Sequence, residues 1–257
     1  MNWMKKVAVA LVCLLPLGLQ AAKVDTLQVK SPSMNKSIEV VVVSPDVAAT
    51  KACPVIYLLH GYGGNARTWV GIKPDLPKIA DEKGIFFVCP DGKNTWYWDS
   101  PLNADVRYET FISNELVKYV DSHYKTVADR KGRAITGLSM GGHGAMWNGL
   151  RHSDVFSAAG STSGGVDIRP FPKNWEMYTV INLVPTLRKD QIALIFDCGD
   201  SDFFLEVNKN YHEALLKQGI DHDFITRPGN HDSQYWNNSI DYQILFFWKH
   251  FLKMKAL

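Results

Sequence analysis

One pentapeptide in this chain is suited to covalent chemistry: Gly137-Leu138-Ser139-Met140-Gly141. Its G-x-S-x-G form lets a backbone bend sharply from strand to helix while presenting the serine hydroxyl at the turn. Arg133 to Thr136 reads as the entering strand, and Gly142 to Trp147 as a departing helix with small residues toward a sheet. The plain alternative is a glycine-rich turn whose serine only caps the helix. A serine hydroxyl is a weak nucleophile, so it needs a base, and the oxyanion formed by its attack needs hydrogen-bond donors. The chain has eight histidines. His231, in Arg227-Pro228-Gly229-Asn230-His231-Asp232, follows the last expected strand and so falls on the sheet edge that carries Ser139. His212 and His250 fall inside expected helices, and His222 enters a strand from the opposite end. His60, His123, His143 and His152 stand outside the expected chain order. An acid must orient the imidazole, and Asp197-Cys198-Gly199-Asp200-Ser201-Asp202 offers three. Asp197 closes the strand, Asp200 belongs to the turn and Asp202 lies farthest out; each could instead cap the following helix.

These residues need a scaffold that gathers loops at one edge. Strands are expected at Thr26 to Lys30 and Ser37 to Ser44, separated by turn-rich Ser31-Pro32-Ser33. Pro54 to Leu59 and Ile85 to Cys89 are continuous apolar runs, as strands buried on both faces of a parallel sheet should be. Further strands are expected at Ala134 to Leu138, Ala158 to Thr162, Gln191 to Asp197 and Asp223 to Thr226. Helices are expected at Pro74 to Lys83, Val106 to Lys125, after Ser139, near Glu206 to Gln218, and from Ile240 to Lys253. The alternation predicts a single α/β domain over residues 23 to 257 with a mostly parallel sheet flanked by helices. Val166 to Lys189, with Pro170, Pro172 and Pro185, lacks periodicity and reads as an insertion that shapes a pocket.

The order Ser, Asp, His is that of the α/β-hydrolases. His60-Gly61-Tyr62-Gly63-Gly64 follows the first buried strand, where that fold places its second oxyanion donor, so the backbone amides of Tyr62 and Met140 are the expected pair. His60 itself reads as a structural histidine. The loop at His60-Gly61, Gly137 to Gly142, Cys198-Gly199-Asp200-Ser201-Asp202 and Pro228 to Asp232 together resemble the putative-esterase family of S-formylglutathione hydrolases, feruloyl esterase modules and mycobacterial mycolyltransferases. The resemblance implies the α/β-hydrolase fold. It matches Ser139 and His231 to the nucleophile and base, and Asp202, the last Asp of the C-G-x-x-D segment, to the acid. No cofactor or metal is implied. Trp96, Tyr97, Trp98 and Trp236 are candidates to line the substrate site; three adjacent aromatic side chains cannot all face one core.

Composition narrows the partners. The chain has 257 residues, 46% of them hydrophobic, with 28 Lys and Arg against 26 Asp and Glu. That near-neutral balance, without a recurring basic block, gives no electrostatic footprint for nucleic acid. Lys5 and Lys6, the apolar run Val7 to Leu19 and the small residues Ala21 and Ala22 form the pattern of a secretory signal peptide over residues 1 to 22. The run is shorter than the ~20 residues a membrane-spanning helix needs, so no stable insertion is expected after cleavage and the mature protein should be periplasmic or secreted. Cys53, Cys89 and Cys198 would remain, an odd number without metal-ligand spacing. The expected function is an exported serine esterase on small-molecule or carbohydrate-linked esters, with acetyl or feruloyl-type esters foremost. Acyl transfer to a sugar hydroxyl and a noncatalytic carbohydrate-binding role are the alternatives.

Overall fold

Alternating side chains of the central strands divide the interior into two cores, one on each side of a sheet. In the computed structural model, which describes residues 22–169 and 175–257, eight strands line up in the order β1-β2-β4-β3-β5-β6-β7-β8. These are β1 (Lys23–Ser31), β2 (Lys36–Ser44), β3 (Val55–Leu59), β4 (Phe86–Pro90), β5 (Arg133–Gly137), β6 (Ala158–Thr162), β7 (Ala193–Gly199) and β8 (Asp223–Arg227). β1 and β2 form an antiparallel hairpin, and β2 pairs antiparallel with β4. From β4 through β8 every pairing is parallel. The apolar runs are explained by burial: every residue of β3, β4, β5 and β6 is buried.

On one face, Ile56, Leu58, Phe87 and Ala134 pack with Trp69 of α1 (Thr68–Ile72), Leu76 and Ala80 of α2 (Leu76–Lys83), and Ile240, Ile244, Phe247 and Phe251 of α7 (Ser233–Lys253). On the other, Val55, Tyr57, Leu59 and Ile135 pack with α3 (Tyr108–Thr110), α4 (Val117–His123), α5 (Met140–Arg151) and α6 (Leu205–Gln218). The period-two split of β3 between these cores is what a two-sided sheet demands.

Two helices depart from the sequence expectation. Val106 to Lys125 is not one α-helix: a π-helical stretch, Phe111–Leu116, separates α3 from α4. The Ser113 hydroxyl donates to Glu109 O, four residues back, at 2.6 Å, and competes with the α-helical bond to that carbonyl. The last helix begins at Ser233 instead of Ile240, because Asp232 Oδ1 accepts the Tyr235 N–H at 2.9 Å and caps a first turn whose only apolar residues are the adjacent pair Tyr235 and Trp236, which show no helical period by themselves. The insertion folds back through Ile181 N–H donating to Val166 O (3.0 Å) and Ile168 N–H to Thr179 Oγ1 (2.8 Å). Pro170 and Pro172 lie outside the described residues, as does the signal pattern up to Ala21. Cys53, Cys89 and Cys198 are free and buried. Among the described residues no helix is long and apolar enough to cross a membrane.

Candidate active site

The parallel strands all point their C-terminal ends toward one edge, and the loops leaving β3, β5, β7 and β8 there carry Tyr62, Ser139, Asp202 and His231 in turn. Ser139 links β5 directly to α5 with φ 54° and ψ −118°, a conformation forced by the sharp turn. The flanking glycines are required by close backbone approach. A Cβ on Gly137 would sit 2.4 Å from Gly141 O, and one on Gly141 would sit 2.2 Å from Leu59 O. Ser139 N–H donates to Thr162 O at 3.0 Å, tying the turn to the end of β6.

Around that turn three side chains from separate loops meet. His231 Nε2 lies 2.9 Å from Ser139 Oγ, and His231 Nδ1 lies 2.9 Å from Asp202 Oδ2. Asp202 Oδ1 accepts the Phe204 N–H at 2.8 Å. Burial of Asp202 works against its charge, but hydrogen bonds from His231 and the Phe204 amide outweigh it and hold the carboxyl below the ordinary carboxylate range. A charged Asp202 accepts from His231 Nδ1–H, which leaves Nε2 bare toward the serine hydroxyl, the tautomer a base requires.

The other two carboxylates of the same loop go elsewhere. Asp200 is exposed and accepts from Ser201 Oγ (3.0 Å) and Gly229 N–H (3.3 Å). Asp197 is fully buried among the Thr162 and Ser239 hydroxyls and Gln243 Nε2, and burial pushes its pKa up.

The Met140 N–H stands in the first turn of α5 and the Tyr62 N–H in the loop after β3. Neither donates to a protein acceptor among the described residues. Gly61, the residue before Tyr62, packs directly on the serine turn, where a Cβ would sit 2.6 Å from Leu138 Cδ1 and 3.3 Å from Ser139 Cβ.

The four aromatic candidates separate. Trp236 stands edge-on to the His231 ring, with centroids 5.1 Å apart. Trp96 and Trp98 are 8% and 7% exposed and stack at 6.1 Å, both edge-on to buried His143. A Cβ on Gly165 would meet Trp96 at 3.1 Å and Phe204 at 3.2 Å, and Gly165 N–H donates to Ser139 O at 3.3 Å. Trp96 therefore forms a wall close to the serine.

Tyr97 corrects the expectation. It is fully buried, its ring lies over Gly92 and Gly144, and its hydroxyl accepts from His60 N–H (3.0 Å) and donates to His60 O (3.2 Å). Consecutive positive φ values at Trp96 and Tyr97, 58° and 62°, turn Tyr97 into the core. It leaves no face for a substrate.

Composition and motif missed Phe203. Its ring is 69% exposed and packs on His231 at 4.3 Å, while the buried Phe204 ring lies 5.5 Å from the same imidazole. Their signal was adjacency to Asp202 in sequence. Among the described residues no group of three or more His, Cys, Asp and Glu side chains is disposed to hold a metal ion.

Known proteins share this arrangement of chain and fold. The family model described as "Putative esterase" matches residues 31–247. An acetyl esterase of Caldicellulosiruptor saccharolyticus is 27% identical over 214 residues, 72% of this chain and 79% of that protein. An endo-1,4-beta-xylanase/feruloyl esterase of Xylanibacter ruminicola is 29% identical over 195 residues, 67% of this chain but 24% of that longer protein. A solved ferulic acid esterase superposes with a TM-score of 0.80 at 29% identity, covering 90% of this chain and 99% of its own. The chain accordingly has the α/β-hydrolase fold and belongs to the putative-esterase family, whose members named here are ester hydrolases.

Proposed function

We propose that this protein is an exported serine esterase that cleaves carboxylic esters through a covalent acyl-enzyme, acting on acetyl or feruloyl-type esters borne by carbohydrate. The observation that carries this reading is the unbroken relay from Ser139 Oγ through His231 to Asp202, with 2.9 Å at each step. In it, the Ser139 oxygen attacks the ester carbonyl while its proton passes to His231 Nε2. The imidazolium so formed is stabilised by Asp202. The carbonyl oxygen, now negative, takes hydrogen bonds from the Met140 and Tyr62 amides. Collapse of the tetrahedral intermediate expels the alcohol, which receives the proton from His231. Water then attacks the acyl-serine with His231 again as base, releasing the acid and free Ser139.

Kinship with an acetyl esterase and a ferulic acid esterase supports the acyl groups. The aromatic surfaces of Trp96, Trp236 and Phe203 near the relay support a ring-bearing substrate, since sugar rings and cinnamoyl planes both pack on aromatic faces. Lys5, Lys6 and the run Val7 to Leu19 support export.

The test uses protein purified without residues 1 to 22, with acetyl, butyryl and feruloyl esters, a thioester, and feruloylated or acetylated oligosaccharides as substrates. Wild type should turn over the esters, and a folded Ser139→Ala variant should lose several orders of magnitude in kcat, because only the attacking oxygen is gone. Near-normal turnover by that variant would overturn the serine mechanism. A higher kcat/KM for simple alkyl esters than for sugar esters of the same acid would remove carbohydrate from the reading. Retention of the leader on the mature protein from the native cell would overturn export.

A further inference from the structure

His60, outside the relay, is surrounded by groups that dictate where its proton resides. The Gly92 N–H donates to His60 Nε2 at 2.9 Å, so Nε2 must be a bare acceptor. His60 Nδ1 faces Gly61 O at 2.7 Å, and a carbonyl can only accept, so Nδ1 carries the hydrogen. Asp91 Oδ1 lies 3.5 Å from Nε2, but both carboxylate oxygens are held by Lys93, Oδ1 by its amide (2.9 Å) and Oδ2 by its ammonium (2.6 Å). The backbone of His60 is clamped by the two hydrogen bonds to the Tyr97 hydroxyl.

The carbonyl that His60 holds belongs to the peptide joining Gly61 to Tyr62. Gly61 O also accepts the Gly64 N–H at 3.0 Å, and a Cβ on Gly64 would sit 2.8 Å from His60 Nδ1, so only glycine closes the turn around the ring. A trans peptide is planar with its C=O and N–H on opposite sides. Two donors held on its carbonyl oxygen therefore fix the Tyr62 N–H, which points the opposite way within the same plane. Asn94 Oδ1 anchors the next amide, accepting from Gly63 N–H at 2.7 Å.

Building on the esterase reading, we propose that His60 is a positioning residue for the oxyanion site. Its Nδ1–H orients the Gly61–Tyr62 peptide so that the Tyr62 amide meets the oxygen that becomes negative when Ser139 attacks. His60 itself touches neither substrate nor the reacting atoms. The aromatic core residue Tyr97 acts one step further back, by holding the backbone from which this ring projects.

Two amide substitutions divide the functions of the ring. In His60→Asn the side-chain NH2 reaches the place of Nδ1 and can still donate to Gly61 O. In His60→Gln the longer amide reaches the place of Nε2, facing Gly92, and leaves Gly61 O to Gly64 alone. Losing one oxyanion donor outright costs about 10²- to 10³-fold in kcat, so misdirecting it should cost about 10- to 100-fold. His60→Gln should show that loss in kcat at unchanged KM for an acetyl ester. It should show a parallel weakening of a trifluoromethyl ketone, whose serine adduct carries the oxyanion. His60→Asn should stay within about fivefold of wild type in both. Equal losses in the two variants, or no loss in His60→Gln, would overturn the proposal. In the wild-type protein, nitrogen-detected correlation of the His60 ring should show hydrogen on Nδ1 and none on Nε2, and the opposite tautomer would overturn it whether or not the variants fold. A wild type inactive on every ester would instead overturn the esterase reading on which this rests.

Discussion

Asp202→Asn tests the relay at the point where the surrounding hydrogen bonds predict the outcome. The substitution is nearly isosteric, so the loop after β7 keeps its course. The Phe204 N–H, 2.8 Å from Asp202 Oδ1, still requires an acceptor, and the amide oxygen of Asn supplies it. The NH2 group is then directed at His231 Nδ1, which must become the acceptor, and the imidazole hydrogen moves to Nε2. There it faces Ser139 Oγ, 2.9 Å away, and no base remains for the serine proton.

Flipping the amide would restore the working tautomer but point NH2 at the Phe204 N–H, leaving that buried donor unsatisfied at a cost of about 1–3 kcal/mol. That restricts the productive arrangement to about one molecule in 5 to one in 150. Even the flipped form lacks the negative charge that stabilises the imidazolium. The full wrong-tautomer loss in such a triad is about 10⁴-fold, or roughly 5 kcal/mol of barrier, so kcat on p-nitrophenyl acetate should fall by about 10²- to 10⁴-fold. Asp200→Asn should stay within about twofold, since that exposed carboxylate serves only Ser201 and Gly229. Initial rates at saturating substrate, with melting curves to verify folding, measure both. A folded Asp202→Asn enzyme retaining a third of wild-type kcat, or an Asp200→Asn enzyme losing more, would refute the tautomer argument.

Two further outcomes follow from burial and close packing. Gly141→Ala would drive a Cβ into Leu59 and His60 backbone oxygens at 2.2 and 2.6 Å, separating α5 from the end of β3. Stability should fall by about 1–3 kcal/mol, visible as a drop in Tm, with kcat falling in the same variant because both oxyanion amides ride on those elements. His143 is fully buried, and burial pushes its pKa down to about 4 while hydrogen bonds to the Tyr178 and Trp96 carbonyls only partly oppose this. The unfolded chain binds this proton below pH ~6.5 and the folded chain does not, so stability should be intact above that pH. It should decline toward pH 4 by up to about 3 kcal/mol, and an imidazole titration near 6.5 for His143 would refute this.

The sequence made some parts of this site readable because they leave local marks. Gly137 and Gly141 are required by backbone contacts at the turn, so the motif and the geometry express one constraint. His231 emerged because the sheet order confines a partner of Ser139 to loops at one edge, and few histidines lie on such loops. The three aspartates after β7 were not separable by spacing: their side chains diverge through the turn in which Asp202 N–H donates to Gly199 O, and only the folded backbone determines which one reaches the imidazole. Tyr97 was misread for a related reason. Alternation along an extended segment would place it opposite Trp96 and Trp98 without saying which side is interior, whereas two positive φ values decide it. The start of α7 was hidden because Ser233 to Asn238 places only the adjacent pair Tyr235 and Trp236 among four polar residues, too short a pattern to show a helical period, and its cap is a single aspartate.

What keeps the three relay residues in register is a carboxylate outside the relay. Ser139 holds a conformation that costs about 1–3 kcal/mol and persists only where its surroundings over-determine it. Its N–H is fixed by Thr162 O, and its carbonyl accepts from His143 N–H (3.1 Å) and Gly165 N–H (3.3 Å). Thr162 in turn donates through its hydroxyl to Asp197 Oδ1 at 2.8 Å, and Ser163 N–H donates to Asp197 O at 2.8 Å. Ser239 and Gln243 of α7 bond the same carboxylate, with the Arg227 guanidinium 3.5 Å away. Leaving any one partner out would strand a buried polar group in an apolar interior, which is costly, so these groups hold their places together. Their elements are the ones that matter: β6 holds the serine turn, β7 runs into the Asp202 loop, and α7 begins two residues after His231. A shift of α7 would carry the imidazole away from Ser139 and at the same time strip donors from Asp197. The geometry needed for proton transfer and the satisfaction of a buried polar group are thereby coupled, which explains why an acid that never meets the imidazole lies beneath the site.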